Sequence, residues 1–541
     1  MANKTDKILL NAAEFPFTYA NTPRTAIINS DIAPRMPGFF YGDKANADLG
    51  TVKLLYCENV LPFAKGVYSV TYTTEIAAIS PAFTSVDQVI TLRDSLEHVF
   101  MFVPGAGANY ICDAATGLWS QLSPFTFGAS LVTKAYVNGR TFICYEKTKI
   151  VEYDSVGNTL DDVTLTFPIG TTIADVRGIS GASNYLIFFT DFTIFWSSPL
   201  DLLDFSDIDA GAGNQTPIDI KGQIAACLPI AGGFLVYTTR NVVAAFFTND
   251  AANPFVFKEV ENSGGVTTWE RISESSKDSG HYMYGTNGLQ LVTMQRAESV
   301  FPEVTDFLVG KQIEHWNTTT KRVELSTSGL VMSVKLAFLA GRFLVISYGV
   351  GTTYFEFALI YDTVLERWGK LRVDHADAFM YPYPLGTGAY TYDKLEGYYD
   401  MLLRDYRALD YLFLAIIPPK QGIAFIDIYG AVKIVSTDFA ETSASGVAVF
   451  GHISLKHSNF TTLTELVLDG LRDTPTPVIS VLSSGDGVER NQTTTMQLAS
   501  DATASYKRYR SRVSAWNHDI AIEGTFVLST ALVGVMPHGY R

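Results

Sequence analysis

The chain has 541 residues, 47% hydrophobic and 18% charged, which excludes an intrinsically disordered protein and supplies apolar area for more than one core. Its formal net charge is 40 − 55 = −15, so it lacks the overall cation excess with which proteins grip nucleic acid through its phosphates. The 35 Phe, 28 Tyr and 42 Gly suit strands and turns. Helical i, i+3, i+4 stripes are scarce, 400–410 (DMLLRDYRALD) being the clearest. The fold class expected is all-β.

The start, MANKTDKILLNAAEF, has no apolar h-region of a secretory signal. The longest pure apolar run, YLFLAII at 411–417, is too short for a membrane span. Residues 1–45 carry four prolines and many aromatics in FPFTYANTPRTAIINSDIAPRMPGFFYG, without any repeat. They read as an extended arm making inter-subunit contacts.

Residues 46–440 show a rhythm of apolar runs and polar turns. Gly-turned hairpins stand at AYVNGRTFICYE (135–146), GISGASNYLIFFT (178–190), LPIAGGFLVYTT (228–239), SKDSGHYMYGTNG (276–288) and AFLAGRFLVISYG (337–349). Polar turns further along each unit lie near 113, 154, 198, 249, 298, 362 and 427. A four-stranded unit recurring about every 40 to 50 residues has the period of a β-propeller blade, and six to eight irregular blades are expected. Two stretches lengthen the rhythm and read as insertions, 289–330 and 380–411. The second is rich in tyrosine, including Tyr390, Tyr392, Tyr398 and Tyr399, candidate tip or interface contacts. Residues 441–541 drop the rhythm and offer alternating strands of a C-terminal β-sandwich, or platform, domain.

Two stretches share a spacing: YICDAATGLWSQL (110–122) and LIYDTVLERWGKL (359–371). Asp113 and Asp362 close a third strand, where a carboxylate can accept N–H groups of the following turn. Trp119 and Trp368, six residues on, open the fourth strand, where an indole can fill the wedge between blades. These four are expected to be structural.

No residue pattern carries catalysis. Cys57, Cys112, Cys144 and Cys227 offer no metal spacing and read as buried free thiols. His452 and His457 fall on opposite faces of a strand. VDHAD at 373–377 and His518-Asp519 read as structural polar clusters. No nucleophile elbow, zinc-protease helix or phosphate loop is present. The expectation is a non-enzyme with no metal or cofactor. The sharpest charge feature is SYKRYRSRV (505–513), which on a strand puts Arg508, Arg510 and Arg512 on one face. Three alternatives stand for them: a solvated strand, contact with an acidic patch of a neighbouring subunit, or DNA.

The Asp-x5-Trp spacing with Tyr361 before it and Gly341-Arg342 upstream resembles kelch blades, without their Gly doublet. Together with NTPRTAIINSDIAPRMPGFFYG and the ending WNHDIAIEGTFVLSTALVGVMPHGYR, the composite of arm, propeller and terminal β domain resembles the tail nozzle or tail hub proteins of short-tailed bacteriophages (podoviruses). That resemblance implies a structural virion protein in a hexameric ring at the distal end of the tail. It implies docking on tail adaptor ring proteins, neighbouring tail fibres or spikes, and passage of double-stranded DNA without sequence-specific binding. Two other readings are a receptor-binding or glycan-cleaving tail protein and a kelch-type adaptor.

Overall fold

The computed structural model describes residues 6–11, 53–63, 66–73, 88–93, 99–103, 109–113, 119–122, 132–154, 156–157, 159–248, 250, 253–273, 280–308, 312–331, 333–350, 354–382, 421–436, 446–453, 461–469, 477–484, 492–498, 506–528 and 530–537. It is a seven-bladed β-propeller with a β-sandwich attached to the sixth blade.

Blades 1 to 4 are four-stranded antiparallel meanders in chain order. Blade 1 is Ile90–Arg93, Val99–Val103, Asn109–Asp113 and Trp119–Leu122. Blade 2 is Val132–Val137, Arg140–Tyr145, Lys149–Asp154 and Thr159–Asp162. Blade 3 is Gly178–Ala182, Tyr185–Phe189, Ile194–Trp196 and Gly213–Gln215. Blade 4 is Ile224–Ile230, Gly233–Thr238, Val242–Phe247 and Phe255–Glu259. The second strands are buried nearly throughout, as in Tyr185–Phe189, because they lie between neighbouring blades on both faces; they therefore read as continuous apolar runs rather than alternating ones.

Blade 5 is Ile272–Ser273, His281–Gly285, Gly288–Val292 and Ala297–Ser299. The last two strands occupy the start of the stretch 289–330 that reads as an insertion. The added elements begin only after them: a short helix, Pro302–Leu308, and a hairpin, Gln312–Asn317 with Arg322–Leu330. The last strand is only Ala-Glu-Ser, with no apolar run to mark it. Blade 6 is Ser333–Leu339, Phe343–Gly349, Phe355–Asp362 and Arg367–His375.

Blade 7 closes the ring with strands from both ends of the propeller sequence. Asp377–Pro382, Gln421–Ile426 and Val432–Ser436 are its inner three, and Thr71–Thr73 is its outermost strand, with Thr71 opposite Ser436 and Thr73 opposite Ile434. Closure shows in the packing as well. A separate apolar core fills each of the seven inter-blade wedges, the last joining Tyr110 of blade 1 to Phe379 and Tyr381 of blade 7.

The sandwich is made from both chain ends. One sheet runs Asp6–Asn11, Thr530–Pro537, Thr461–Asp469, Tyr506–Ala515, Gln497–Leu498; the other runs Lys53–Glu58, Gly446–Ile453, Asn517–Gly524, Val478–Ser484, Gln492–Thr495. Between them pack Leu463, Leu466, Leu468, Ala448, Phe450, Ile479, Val481, Ile520 and Ile522. A bulge between Leu463 and Glu465 lets both 463 and 466 face this core, where strict alternation would turn one of them out.

Two boundaries therefore differ from those read along the sequence. Asp6–Asn11, inside the N-terminal arm, pairs with Thr530–Pro537 of its own chain. Lys53–Glu58, placed in the propeller, belongs to the sandwich. Between sandwich and ring, Val60–Phe63 and Gly66–Ser69 extend blade 6 from its outer edge, Val60 opposite Lys370, and Val527–Leu528 closes that seven-stranded sheet. One continuous sheet thus spans blade 6 and the foot of the sandwich.

Candidate functional site

Asp362 ends the third strand of blade 6. Its Oδ1 accepts the backbone N–H of Val364 (2.9 Å) and Leu365 (3.2 Å). Its two oxygens also take Arg342 as a fork, Nε to Oδ1 at 2.8 Å and Nη2 to Oδ2 at 2.5 Å. The residue is buried, so one carboxylate fixes the outer turn and ties it to the first hairpin of the same blade. Trp368 packs in the wedge towards blade 5, edge-on to Phe301 at 5.1 Å and beside Tyr284, Leu289 and Phe307. Asp154 of blade 2 repeats the turn, accepting Val156 N–H at 2.9 Å and Gly157 N–H at 3.1 Å, without a tryptophan after it. Asp113 and Trp119 occupy the corresponding strand ends of blade 1, Trp119 opposite Cys112; their side chains lie outside the described ones. Asp362→Ala is expected to cost about 3 kcal/mol by stranding Arg342, and Asp362→Asn clearly less because its carbonyl oxygen keeps the turn bonds; urea midpoints measure both.

Tyr390, Tyr392, Tyr398 and Tyr399 lie outside the described residues. Arg508, Arg510 and Arg512 lie on Tyr506–Ala515, far along the chain from the blade turns. Tyr509, Val513 and Ala515 are buried on the inner face of that strand, as is Lys507, while Arg510 and Arg512 are exposed on the outer face. Arg508 shares their register parity, opposite Val467.

Two buried charge clusters do more to hold the molecule together. At the centre of the ring, Lys335 Nζ lies 3.1 Å from Asp377 Oδ1, both side chains buried. Asp377 Oδ2 accepts the N–H of Val89 at 2.7 Å, and Oδ1 that of Ala378 at 2.9 Å. This single carboxylate joins the inner strand of blade 6, that of blade 7 and the residue before blade 1. Next to blade 1, Gln88 Nε2 donates to Val132 O of blade 2 at 2.9 Å.

His375, between the aspartates of VDHAD, bonds to neither. Its Nδ1–H donates to Val373 O at 2.7 Å, so Nε2 accepts from Ser347 Oγ, also at 2.7 Å. Fully buried, the imidazole is held neutral: desolvation, aided by Lys335 and Lys433, lowers its pKa to about 4. In the unfolded chain the same group titrates near 6.5. Between these values the unfolded state binds more protons, so this contribution is complete above pH 6.5 and lost as pH falls towards 4, up to about 3 kcal/mol. Melting temperature should fall from pH 7.5 to pH 5 in the wild type, and with a shallower slope in His375→Gln.

At the joint between propeller and sandwich, Glu58 is buried. It accepts Tyr56 Oη–H at 2.5 Å, the N–H of Trp316 from the inserted hairpin at 3.4 Å, and Arg372 Nη1 at 3.4 Å. Lys370, fully buried, lies over the rings of Tyr56 (4.5 Å) and Phe357 (4.6 Å). Burial pushes the neighbouring Cys57 thiol up to about 12. Lys321 of the hairpin also pairs with Glu523 of the sandwich at 2.5 Å. Hairpin, sandwich and blade 6 therefore meet around two buried charges, Glu58 and Lys370, with Arg372 half exposed at the edge, and removing a partner of a buried charge is costly.

Sequence reasoning missed both clusters. A signal was available: Lys335 in SVKLAFL and Glu58 in LLYCENVL are lone charges inside apolar strands, and Lys370 stands between Gly369 and Leu371 in another; such charges seldom occur there without a buried partner. Their partners, Asp377 and the 56–58 strand, are too distant in sequence to be named from pattern. Among the described residues no group of three or more His, Cys, Asp or Glu converges as metal ligands, and no helix is long and apolar enough to cross a membrane.

No known family profile matches the chain, and no curated protein sequence matches it. Solved structures do match by shape. The crystal structure of the WD40 β-propeller domain of Doa1 aligns at 12% identity and a TM-score of 0.36, covering 68% of this chain and 98% of that one. A crystal structure of the mitotic checkpoint complex aligns at 13% identity and a TM-score of 0.32, covering 56% and 86%. The seven blades rest on strand pairing, independently of these likenesses.

Proposed function

We propose that this chain is a structural virion protein, the distal nozzle or hub subunit of a short phage tail, that seals packaged DNA and conducts it on ejection. The sequence resemblance set out above motivates the reading. The observation that supports it best is the continuous joint: a propeller whose sixth sheet runs into a sandwich built from both chain ends, pinned by Glu58, Lys370 and Arg372. Such a body transmits force between disc and sandwich without a linker, as a ring under internal pressure requires. In this reading the subunit assembles as a hexamer, docks on tail adaptor ring proteins, neighbours tail fibres or spikes, and acts mechanically rather than as an enzyme. The net charge of −15 suits a conduit past which DNA slides, since counterion release drives no tight binding there.

The test is location. Gold-labelled antibodies against the chain should decorate the distal tip of the tail in purified particles. Absence of the chain from mature particles overturns the proposal, and turnover of host polysaccharide by the isolated protein would favour a glycan-cleaving tail protein instead.

A further inference from the structure

The hairpin of Gln312–Asn317 with Arg322–Leu330 joins neither a blade nor a sandwich sheet; among the described residues it is a sheet of two strands alone. Its ladder is broken. Glu314 to Asn317 pair in step with Leu325 to Arg322, but Gln312 pairs with Leu330. One residue of the first strand therefore stands against four of the second, Ser326, Thr327, Ser328 and Gly329. Backbone left outside the ladder, with a glycine in it, takes up changes of φ and ψ at low cost. A pivot thus separates the paired tip, 314–325, from its base.

The tip holds its own shape. Asn317 Oδ1 accepts Thr319 N–H at 2.8 Å and Thr320 N–H at 3.1 Å. Glu324 accepts Asn317 Nδ2–H at 2.8 Å on one oxygen and Thr320 Oγ1–H at 2.6 Å on the other. All four bonds lie within the tip, so it can move as one piece.

One latch attaches it to the sandwich. Trp316 stands opposite Val323, and both pack on the sandwich. Trp316 is buried against Tyr56, Val447, Val449 and Ala521. These belong to the outer face of the second sheet, whose alternate residues Cys57, Ala448, Phe450, Ile520 and Ile522 face the core. Polar support for the latch is thin. The main-chain N–H of Trp316 reaches Glu58 at 3.4 Å, beyond the usual range, and Lys321 meets Glu523 at a partly exposed margin. The indole Nε1–H is buried with no acceptor. Indoles without an acceptor also stand in the wedges, at Trp196 and Trp368, but there whole blades fix the ring from both sides. Trp316 sits on a two-stranded tip with a pivot behind it.

We infer that residues 314–325 form a clasp that swings about residues 326–329. Docked, it holds sandwich and disc at one angle. Released, it leaves the sandwich tied to the disc through its junction with blade 6 alone. A self-held tip with few outside contacts belongs to the low-stability end of a molecule, where local opening precedes global unfolding. The clasp stands on this geometry; only its use, letting the sandwich turn when a tail opens, rests on the proposed function.

Hydrogen–deuterium exchange of the full chain in increasing urea tests the opening. Amides of 314–317 and 322–325 should exchange together, about a hundredfold or more faster than those of Gly446–Ile453 beneath them. Urea below the unfolding transition should leave that rate unchanged, because local opening exposes little surface. Trp316→Ala should speed the tip at least about tenfold further, and Lys321→Glu, which repels Glu523, by a smaller factor. Unchanged protection of Tyr185–Phe189 shows that both variants fold. Spin labels test the change of angle. One is placed at Ile218→Cys, in the connector from blade 3 to blade 4, and one at Arg512→Cys on the sandwich, both exposed positions. Cys112→Ser completes the background, since Cys57, Cys144 and Cys227 are buried. The distance distribution should broaden when Trp316→Ala or Lys321→Glu is added. A tip as protected as Gly446–Ile453, with the same urea dependence, overturns the inference, and so does a distribution that neither variant changes. Absence of the chain from particles would sink the tail reading alone and leave the clasp standing.

Discussion

A chain beginning at residue 74 is expected to be insoluble, or to lose both the sandwich and blade 7 rather than a peripheral arm. The first 73 residues contribute strands to four sheets: both sheets of the sandwich, the extension of blade 6, and the outer edge of blade 7. They place Tyr56, Cys57, Val60, Leu61, Val67, Tyr68, Val70 and Tyr72 in the cores. At about 1.5–3 kcal/mol per large buried side chain, an upper bound for an unfolded chain that is already partly compact, the loss exceeds the roughly 5–15 kcal/mol of net stability typical of a domain. It also removes Tyr56, whose ring and hydroxyl face the buried Lys370 ammonium, and exposes the edge of Val432–Ser436 to pairing with other chains. The measurement is solubility and limited proteolysis of the truncated chain against the full one. A soluble truncation with an unchanged protease-resistant core would show that the N-terminal strands are dispensable.

The second large effect is Asp377→Ala, expected to cost about 3–5 kcal/mol, the range for removing one side of a buried ion pair. The substitution strands Lys335 without its carboxylate and frees the N–H of Val89 at the point where the last blade meets the first. It acts on ring closure rather than on any one blade. Lys335→Met in the same chain should recover much of the loss, because an apolar pair of similar volume removes the uncompensated charge. A double-mutant cycle of urea midpoints measures the coupling; additive effects would mean that the pair does not hold the ring shut.

The local units were legible because blade hairpins are local objects. The runs 135–146, 178–190 and 228–239 each hold the first two strands of a blade, and the Asp362 turn and Trp368 wedge follow from what a carboxylate and an indole can do at those places. Blade 5 was hidden at its outer edge because Ala297–Ser299 is three residues long and carries no apolar pattern. Pairings across most of the chain, such as Asp6–Asn11 with Thr530–Pro537, were invisible for a different reason. Period-two alternation tells which face of a strand is buried but not which strand lies beside it. The arginine stripe could be placed on one face of a strand, yet its neighbour could not: Glu465, opposite Arg510 on the adjoining strand, is named only by the pairing.

Closure of the propeller by its N-terminal strand is the claim on which disc, joint and proposed ring all depend. Thr71→Cys with Ser436→Cys tests it most directly, since these residues face each other across the outermost pair of blade 7. Mild oxidation of the double variant should yield a peptide pair linked through residues 71 and 436 in the digest of monomeric material, and neither single variant should yield it. Free thiols at both positions in the folded protein would contradict the closed ring.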